Sequence, residues 1–367
     1  MKVLITGGAG FVGSSLALLF KRDDPSIEVT AFDNLKRRGS EVNLRRFKVN
    51  GIKFVHGDVR QRDDLMDLAG NFDLLIEASA EPSVLAGLAG TPNYVLTTNL
   101  MGTLNCLEFC RKRAGLFLFL STSRVYSLAA LRGIILSERS SRYEISPTQS
   151  QPGINIHGIS EHFPVHSARS MYGASKLCSE FIIQEYVHSL GMHAIINRCG
   201  VICGSGQFGK LEQGVFALWV IAHYFKHPLK YKGFGGEGKQ VRDLLHPDDL
   251  FLLIKKQISN FEHLNGECFN VGGGTNNSVS LRELTEVCRE VIGQDVSISR
   301  DVNTSPVDVP VYITNFSKIK KAVDWQPKHS IRYIIEDIYQ WLRRDEQNLR
   351  PLFEPGVDDP FKFRDAA

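Results

Sequence analysis

Tyr172 and Lys176 stand four residues apart in Tyr172-Gly173-Ala174-Ser175-Lys176. On a helix this spacing puts both side chains on one face. An ammonium beside a phenol favours the phenolate, and a positively charged cofactor bound nearby would add to it; both lower the tyrosine pKa from about 10 toward working pH. Such a tyrosine can take a proton from a hydroxyl. A second set of reactive groups, Ser121-Thr122-Ser123, ends an apolar run from Leu116 to Leu120. A hydroxyl there can hold the oxygen whose proton the tyrosine removes. Taken singly, each motif also fits an ordinary helix pair or a polar strand-end turn.

A third motif supplies a binding site. Gly7-Gly8-Ala9-Gly10-Phe11-Val12-Gly13 follows a short apolar run at once, giving G-x-x-G-x-x-G at Gly7, Gly10 and Gly13. Between a strand and a helix, such glycines let the backbone approach a pyrophosphate, and the helix N-terminus offers free N–H groups. Asp33 lies twenty residues beyond Gly13, at the end of the next apolar run. A carboxylate there accepts from an adenosine ribose and repels a 2′-phosphate, which favours NAD over NADP. Lys36, Arg37 and Arg38 follow closely and weigh the other way. Asp58, after His56-Gly57, can meet an adenine amino group or cap a helix. The small residues Ala78, Ser79 and Ala80 end a fourth run and allow a cofactor to come close.

The elements that must position these groups are readable from periodicity. Lys2–Thr6, Glu28–Phe32, Ile52–Val55, Leu74–Ala78, Leu116–Leu120 and His193–Asn197 read as short buried strands. Phe11–Lys21 and Asn93–Arg113 are the clearest helices among them. The alternation predicts an α/β fold of Rossmann type, a doubly wound parallel sheet with helices on both faces. Beyond it the pattern changes: a glycine-rich stretch Gly233–Gly238, a strand at Cys268–Val271, and helices at Leu281–Ile292 and Ile331–Arg343. These predict a smaller α+β lobe that binds substrate. The expected division is residues 1–197 for the dinucleotide domain, with 241–258 returning to it, residues 198–240 and 259–350 for the lobe, and 351–367 as a tail.

Composition narrows the class. The chain has 367 residues, 43% apolar and 23% charged, as a soluble globular protein of about two domains does. Lys and Arg number 43 against 40 Asp and Glu, with no basic stripe, so no nucleic-acid partner is expected. No apolar run nears the ~20 residues of a membrane helix, and no membrane partner is expected. Seven cysteines include two C-x-x-x-C spacings, Cys106/Cys110 and Cys199/Cys203, without the histidines of a zinc site. Reduced thiols, no metal and a cytoplasmic location are the expectation.

Together the glycine loop, Asp33, the hydroxyl strand end and the Tyr-x-x-x-Lys pair resemble the extended short-chain dehydrogenase/reductases of the nucleotide-sugar epimerase/dehydratase family. The resemblance runs from Met1 to about Leu342. Its further pieces are Phe32-Asp33-Asn34-Leu35, Val55-His56-Gly57-Asp58, Gln207-Phe208, Glu212-Gln213-Gly214, Arg142-Tyr143 and the run Gly238 to His246, which contains Gln240-Val241-Arg242-Asp243. It implies bound NAD, Tyr172 with Lys176 and Thr122 as the reacting groups, and Arg242 on the phosphates of a nucleotide-diphosphate sugar. For Arg242 an ion pair with Asp243 or Asp248 is the alternative. Asn34, Val59, Asn99 and, again, Tyr172 and Lys176 join the cofactor-binding candidates, and Ser123, Arg124, Asn197, Gln207 and Gln213 join Arg242 for substrate. The family's pairing of helices, here Asn93–Arg113 and Tyr172–Leu190, implies a possible homo-oligomer.

The sequence also departs from the family. Dehydratases carry an Asp-Glu pair after the strand-end threonine, where this chain has Ser123 and Arg124. With no carboxyl pair to protonate a leaving hydroxyl, 4,6-dehydration is disfavoured and epimerisation through a transient ketone is expected. An arginine usual in the C-terminal lobe is absent from Thr304-Ser305-Pro306-Val307-Asp308. Ser127 follows Tyr126 where glycine is usual, and the segment from there to Met171 is long. A 4-epimerase, decarboxylase, dehydratase or reductase acting on another activated sugar stays open. A non-catalytic dinucleotide sensor is a further alternative, which the intact Tyr172, Lys176 and Thr122 argue against.

Overall fold

The computed structural model describes residues 1–88, 90–208 and 214–353. Its centre is a seven-stranded sheet in the spatial order Cys268–Val271, Ala194–Cys199, Ala114–Thr122, Phe72–Glu77, Lys2–Thr6, Glu28–Asp33, Lys53–His56. Every pairing in it is parallel. Parallel neighbours need crossover connections, whose helices cover both faces. This is why Leu116 to Thr122 is buried without a break. The chain builds outward from Lys2–Thr6 to one edge, then returns to start Phe72–Glu77 on its other side. The crevice opens at that reversal, beyond the strands' carboxyl ends.

Two assignments change. Cys268–Val271, expected in the lobe, is the seventh strand of the main sheet, paired with Ala194–Cys199. A four-residue apolar strand carries no mark of its partner. The returning segment 241–258 is divided. Val241–Leu245 joins a sheet of the lobe with Val201–Ile202, Ser278–Ser280 and Val311–Tyr312. The next helix, Pro247–Ser259, packs Leu250, Phe251 and Ile254 into the main core, with the Phe251 ring edge-on to Phe20.

The lobe has its own core, where Trp219 and Ile221 of helix Val215–Phe225 meet Leu284 and Cys288 of Leu281–Ile292 and Ile334 and Ile338 of Ile331–Arg344. Ser280 and Glu283 cap the second of these reciprocally. The expected tail is shorter than read: Glu346–Phe353 is helical, and Leu349 and Phe353 are buried in the lobe core. Residues 354–367 and Gln213 lie outside the described residues. The long segment before the tyrosine helix folds as a short helix, Leu128–Arg132, and two small hairpins. Its apolar residues pack on Val309 and Tyr312.

Candidate active site

The glycine loop is shaped by close backbone approach. Gly7 has φ +64°, and a Cβ on it would lie 2.6 Å from the Ser79 nitrogen. A Cβ on Gly13 would lie 2.2 Å from the Gly7 carbonyl oxygen. Gly10 differs: a Cβ there would meet only the Gly7 oxygen, at 3.2 Å, and otherwise project into space. Gly10 begins helix Phe11–Asp23 with no side-chain cap, so the first-turn N–H groups, those of Phe11 and Val12 among them, face a cradle open to an anion.

Asp33 ends its strand beside this loop. Its carboxylate accepts from Ala9 N at 3.1 Å and from Leu35 N at 2.8 Å. Burial pushes its pKa up, against the backbone N–H groups that pull it down. Of the basic residues nearby, Lys36 rests on the Tyr94 ring, its Nζ 3.7 Å from the centroid. Asn34 donates to Asp58 at 2.9 Å, and Arg60 forks onto the same carboxylate at 2.6–3.0 Å. Partial burial raises the Asp58 pKa, but these hydrogen bonds outweigh it and hold the carboxyl at about 2. Val59 is buried and receives Asn105 on its carbonyl. Ala78 N reaches the Thr6 carbonyl, and the Ser79 hydroxyl meets Thr6 Oγ1 at 3.1 Å, so the floor below Ala80 is tied to the first strand. The uncapped helix and the Gly10 gap fit the pyrophosphate of a dinucleotide, and Asp33 fits an unphosphorylated ribose.

Asn99 has a different place from that expected. Its side chain is fully buried, accepts from Glu81 N, and donates to the Glu81 carbonyl and Ser175 Oγ. It pins the loop after Phe72–Glu77 to the tyrosine helix. Asn197 is likewise displaced. Its strand runs on to Cys199, so Asn197 is not the strand end, and its amide pairs reciprocally with Gln257 under helix Pro247–Ser259. It ties sheet to helix instead of touching substrate.

The candidate reacting groups Tyr172, Lys176 and Thr122 lie on one helix and on the strand end it packs against. Ser170 caps helix Met171–Leu190 by accepting from Gly173 N. A Cβ on Gly173 would stand 2.1 Å from the Arg124 carbonyl oxygen, so only glycine lets the helix start lie against the turn Ser123–Val125. That contact brings Tyr172 beside Thr122, close enough for the threonine side chain to act on the phenol's pKa. The expected fall in the tyrosine pKa, which counts the charges of Lys176 and of bound NAD+, is opposed by the site's own burial. Burial raises the pKa, and the Thr122 side chain and the Arg124 charge offset only part of that rise. Lys176 is buried, with its ammonium 4.0 Å from the Phe119 ring centroid. Burial lowers its pKa, and Glu77, Cys199 and Glu180 pull it back up. Glu77 is a residue that sequence reading passed over. Its one signal is an acid closing the apolar run Leu74-Leu75-Ile76.

Arg242 faces the same crevice from the lobe, donating to Asp308 at 2.9 Å and to the Val309 and Val241 carbonyls. Its ion pair is thus with Asp308, not Asp243 or Asp248. Burial lowers its pKa to about 10; Asp308 acts against this and the Arg124 charge adds to it. Arg124 reaches the Val307 carbonyl at 3.4 Å. Ser123 is half-buried in the turn between them. Gln207 donates to the Ile202 carbonyl while its side-chain oxygen is buried without a partner.

All seven cysteines are unpaired. His246, Asp248 and His329 bring potential metal ligands within 4.8 Å of one another. His246 Nδ1 already accepts from Asp248 N, and Arg22 holds the Asp248 carboxylate. Among the described residues no helix is long and apolar enough to cross a membrane.

The fold and this crevice define a dinucleotide-dependent enzyme of the short-chain dehydrogenase/reductase type. Residues 3–272 match the model of the NAD dependent epimerase/dehydratase family. The chain belongs to that family, and NAD is its cofactor. CDP-paratose 2-epimerase of Salmonella typhi is 30% identical over 353 residues, covering 93% of this chain and 99% of that protein. Among solved structures, Pal from Bacillus thuringiensis superimposes with a TM-score of 0.77 at 25% identity, over 94% of this chain and 99% of its own. A dTDP-glucose 4,6-dehydratase double mutant, DesIV of Streptomyces venezuelae, solved with NAD bound, has a TM-score of 0.75 at 26% identity, over 96% of this chain and all of its own.

Proposed function

We propose that the protein epimerises a nucleotide-diphosphate sugar, and that the inverted carbon is C2 of a CDP-activated sugar. The observation that carries this reading is the seating of the Tyr172 helix against the turn after Thr122, where Gly173 meets the Arg124 carbonyl, with Ser123 and Arg124 in that turn in place of acids. The choice of CDP and C2 is supported by the 2-epimerase relative.

Bound NAD supplies a reversible hydride acceptor, so the sugar is inverted without net oxidation. Tyr172 takes the hydroxyl proton as the carbon is oxidised and returns it after the ketosugar has turned over. Thr122 holds the oxygen throughout. Lys176 keeps positive charge near the phenol. Arg124 and Arg242 repel each other across the crevice, so an anion between them relieves both, and the diphosphate fills that role. Gln207, whose side-chain oxygen is buried without a partner, is free to accept from the nucleotide. With the phosphates anchored, the sugar is free to present its opposite face.

A panel of CDP-, UDP-, GDP- and dTDP-sugars, each carrying deuterium at the carbon to be inverted, tests the reading. The CDP sugar should turn over and keep its label, since the hydride does not exchange with water. Loss of deuterium to solvent would mean direct proton abstraction, and turnover of another nucleotide alone would overturn the CDP assignment.

A cytoplasmic location is part of this proposal, supported by the unpaired thiols. So is a homodimer through the helices before and after the reacting strand, where Met101 and Phe181 are exposed. A monomer by analytical ultracentrifugation would remove it.

A further inference from the structure

Glu77 is the last residue of the central strand Phe72–Glu77 and is completely buried. Its Oε1 accepts from Thr103 Oγ1 at 2.7 Å, while its Oε2 has no hydrogen-bond partner. A buried carboxylate left half-satisfied is costly unless a charge compensates it. The groups around it come from every neighbouring element. Helix Gly102–Arg113 supplies Thr103 and Cys106, whose thiol is pushed far up by burial and by Glu77 itself. The adjoining strands place Thr6 and Phe119 in register with it. The tyrosine helix supplies Lys176, the one cation in this set: its ammonium lies 4.0 Å from the centre of the ring of Phe119, the residue in register with Glu77.

We propose that Glu77 is a positioning residue for the reacting pair: its carboxylate holds Lys176 as an ammonium beside Tyr172. This rests on Tyr172 and Lys176 being the pair that reacts. Away from water a lysine tends to shed its proton. Glu77 is the strongest pull against that tendency, ahead of Cys199 and Glu180. The dependence is mutual. Burial raises the Glu77 pKa to about 7, with Lys176 as the chief opposing influence. Above that pH the carboxylate is ionised and supports the ammonium. Below it Glu77 takes up a proton and the support is withdrawn, although low pH itself keeps the lysine charged. The distinct signature is therefore on the alkaline side, where Lys176 gives up its proton.

The test reads Lys176 directly. In the full-length protein with NAD bound, lysines carry ¹³C at Cε, and the Lys176 resonance is the one missing from Lys176→Met. In Glu77→Gln its titration midpoint should fall by ~1–3 units, the size of one close opposite charge. The alkaline limb of kcat should fall by the same amount, and Glu77→Asp should recover most of both. An unmoved midpoint in a folded Glu77→Gln overturns the proposal, as does a lowered melting temperature with the pH profile unchanged. Should Glu77→Gln fail to fold, Thr103→Val serves. Removing that hydroxyl raises the Glu77 pKa, so the smaller inflection that Glu77 imposes on the Lys176 resonance should move to higher pH; a fixed inflection sinks the idea. The titration needs no substrate, so it stands or falls apart from the nucleotide-sugar reading.

Discussion

The two sides of the crevice recognise their ligands by different means. On the cofactor side the work is done by main chain: the uncapped amides after Gly10, the crossing of Gly7 against Ser79, and Asp33 held by two backbone N–H groups. On the side proposed for substrate the available groups are long side chains from separate segments, Arg124 after the strand Ala114–Thr122 and Arg242 from the lobe sheet, the latter held by Asp308. Backbone recognition is fixed by where glycines fall and tolerates almost no added atom. Side-chain recognition can be rebuilt residue by residue, which suits a scaffold that serves many sugars.

The sharpest way to probe this contrast is at the seam between the two sides. Tyr172→Phe removes the hydroxyl and little volume. Its kcat should fall by ~10²–10⁴, the usual range for loss of a general base. NAD affinity, measured by calorimetry, should be unchanged because the cradle is made elsewhere. An equal loss of NAD binding would mean that the two sides are not separable. Next in size is Gly13→Ala. Its methyl would sit 2.2 Å from the Gly7 oxygen, so the loop must shift, at a cost of ~1–3 kcal/mol typical of overpacking. NAD binding should suffer most, and the lobe's nucleotide grip should not. Arg242→Lys is the matching change on the other side. A lysine keeps the charge but loses the fork, so nucleotide-sugar binding should weaken by about tenfold with NAD binding intact. Loss of folding instead would make Arg242 a structural partner of Asp308 and nothing more.

This contrast also explains what could be read in advance. The six strands of the dinucleotide half and the helix at the glycine loop were legible to within a residue or two, because buried parallel strands are short, apolar and punctuated. The helix Asn93–Arg113 was legible as a helix, but not its π-helical turn at Thr97–Met101. That turn lies where Asn99 and Thr98 face inward, and periodicity in so short a window does not distinguish 3.6 from a wider turn. Cys268–Val271 was visible as a strand but not as the main sheet's edge, since its partner lies about seventy residues earlier. Asn197 was misplaced by two residues of strand length, enough to turn a crevice residue into a core one. The tyrosine–lysine spacing does not report burial, which raises the tyrosine pKa and which the charges of Lys176 and bound NAD+ must overcome. Asp308 and Glu77 gave no motif. Each acts on a residue far away in the chain, and only the fold brings them together.

The smallest effect belongs to the far end of the cofactor side, where Asp58 departs from the backbone rule. Its side chain is the hub of Arg60 and Asn34, with its pKa lowered from 3.8 to about 2. A carboxyl whose pKa is lower in the folded state favours folding while it is ionised. That contribution is complete above the ordinary value and is lost as pH falls from about 4 toward 2. The fork remains in touch with water, so its worth should be below about 1 kcal/mol. Asp58→Asn should therefore lower the urea midpoint slightly, by a constant amount from neutral pH down to mild acid. The gap between variant and parent should then close as the parent's carboxyl is protonated. A gap that ignores pH would mean that Asp58 acts through packing, and that the amide of Asn34 has no charged partner there. A gap that widens in acid would reverse the sign and show the ion pair to be absent in solution. Because Asp58 also lies where an adenine ring would reach the third strand, NAD affinity in the same variant completes the comparison. If affinity falls while the stability gap behaves as described, side-chain recognition extends into the cofactor side at its outer end. If affinity holds, the main chain at Val59 suffices there too.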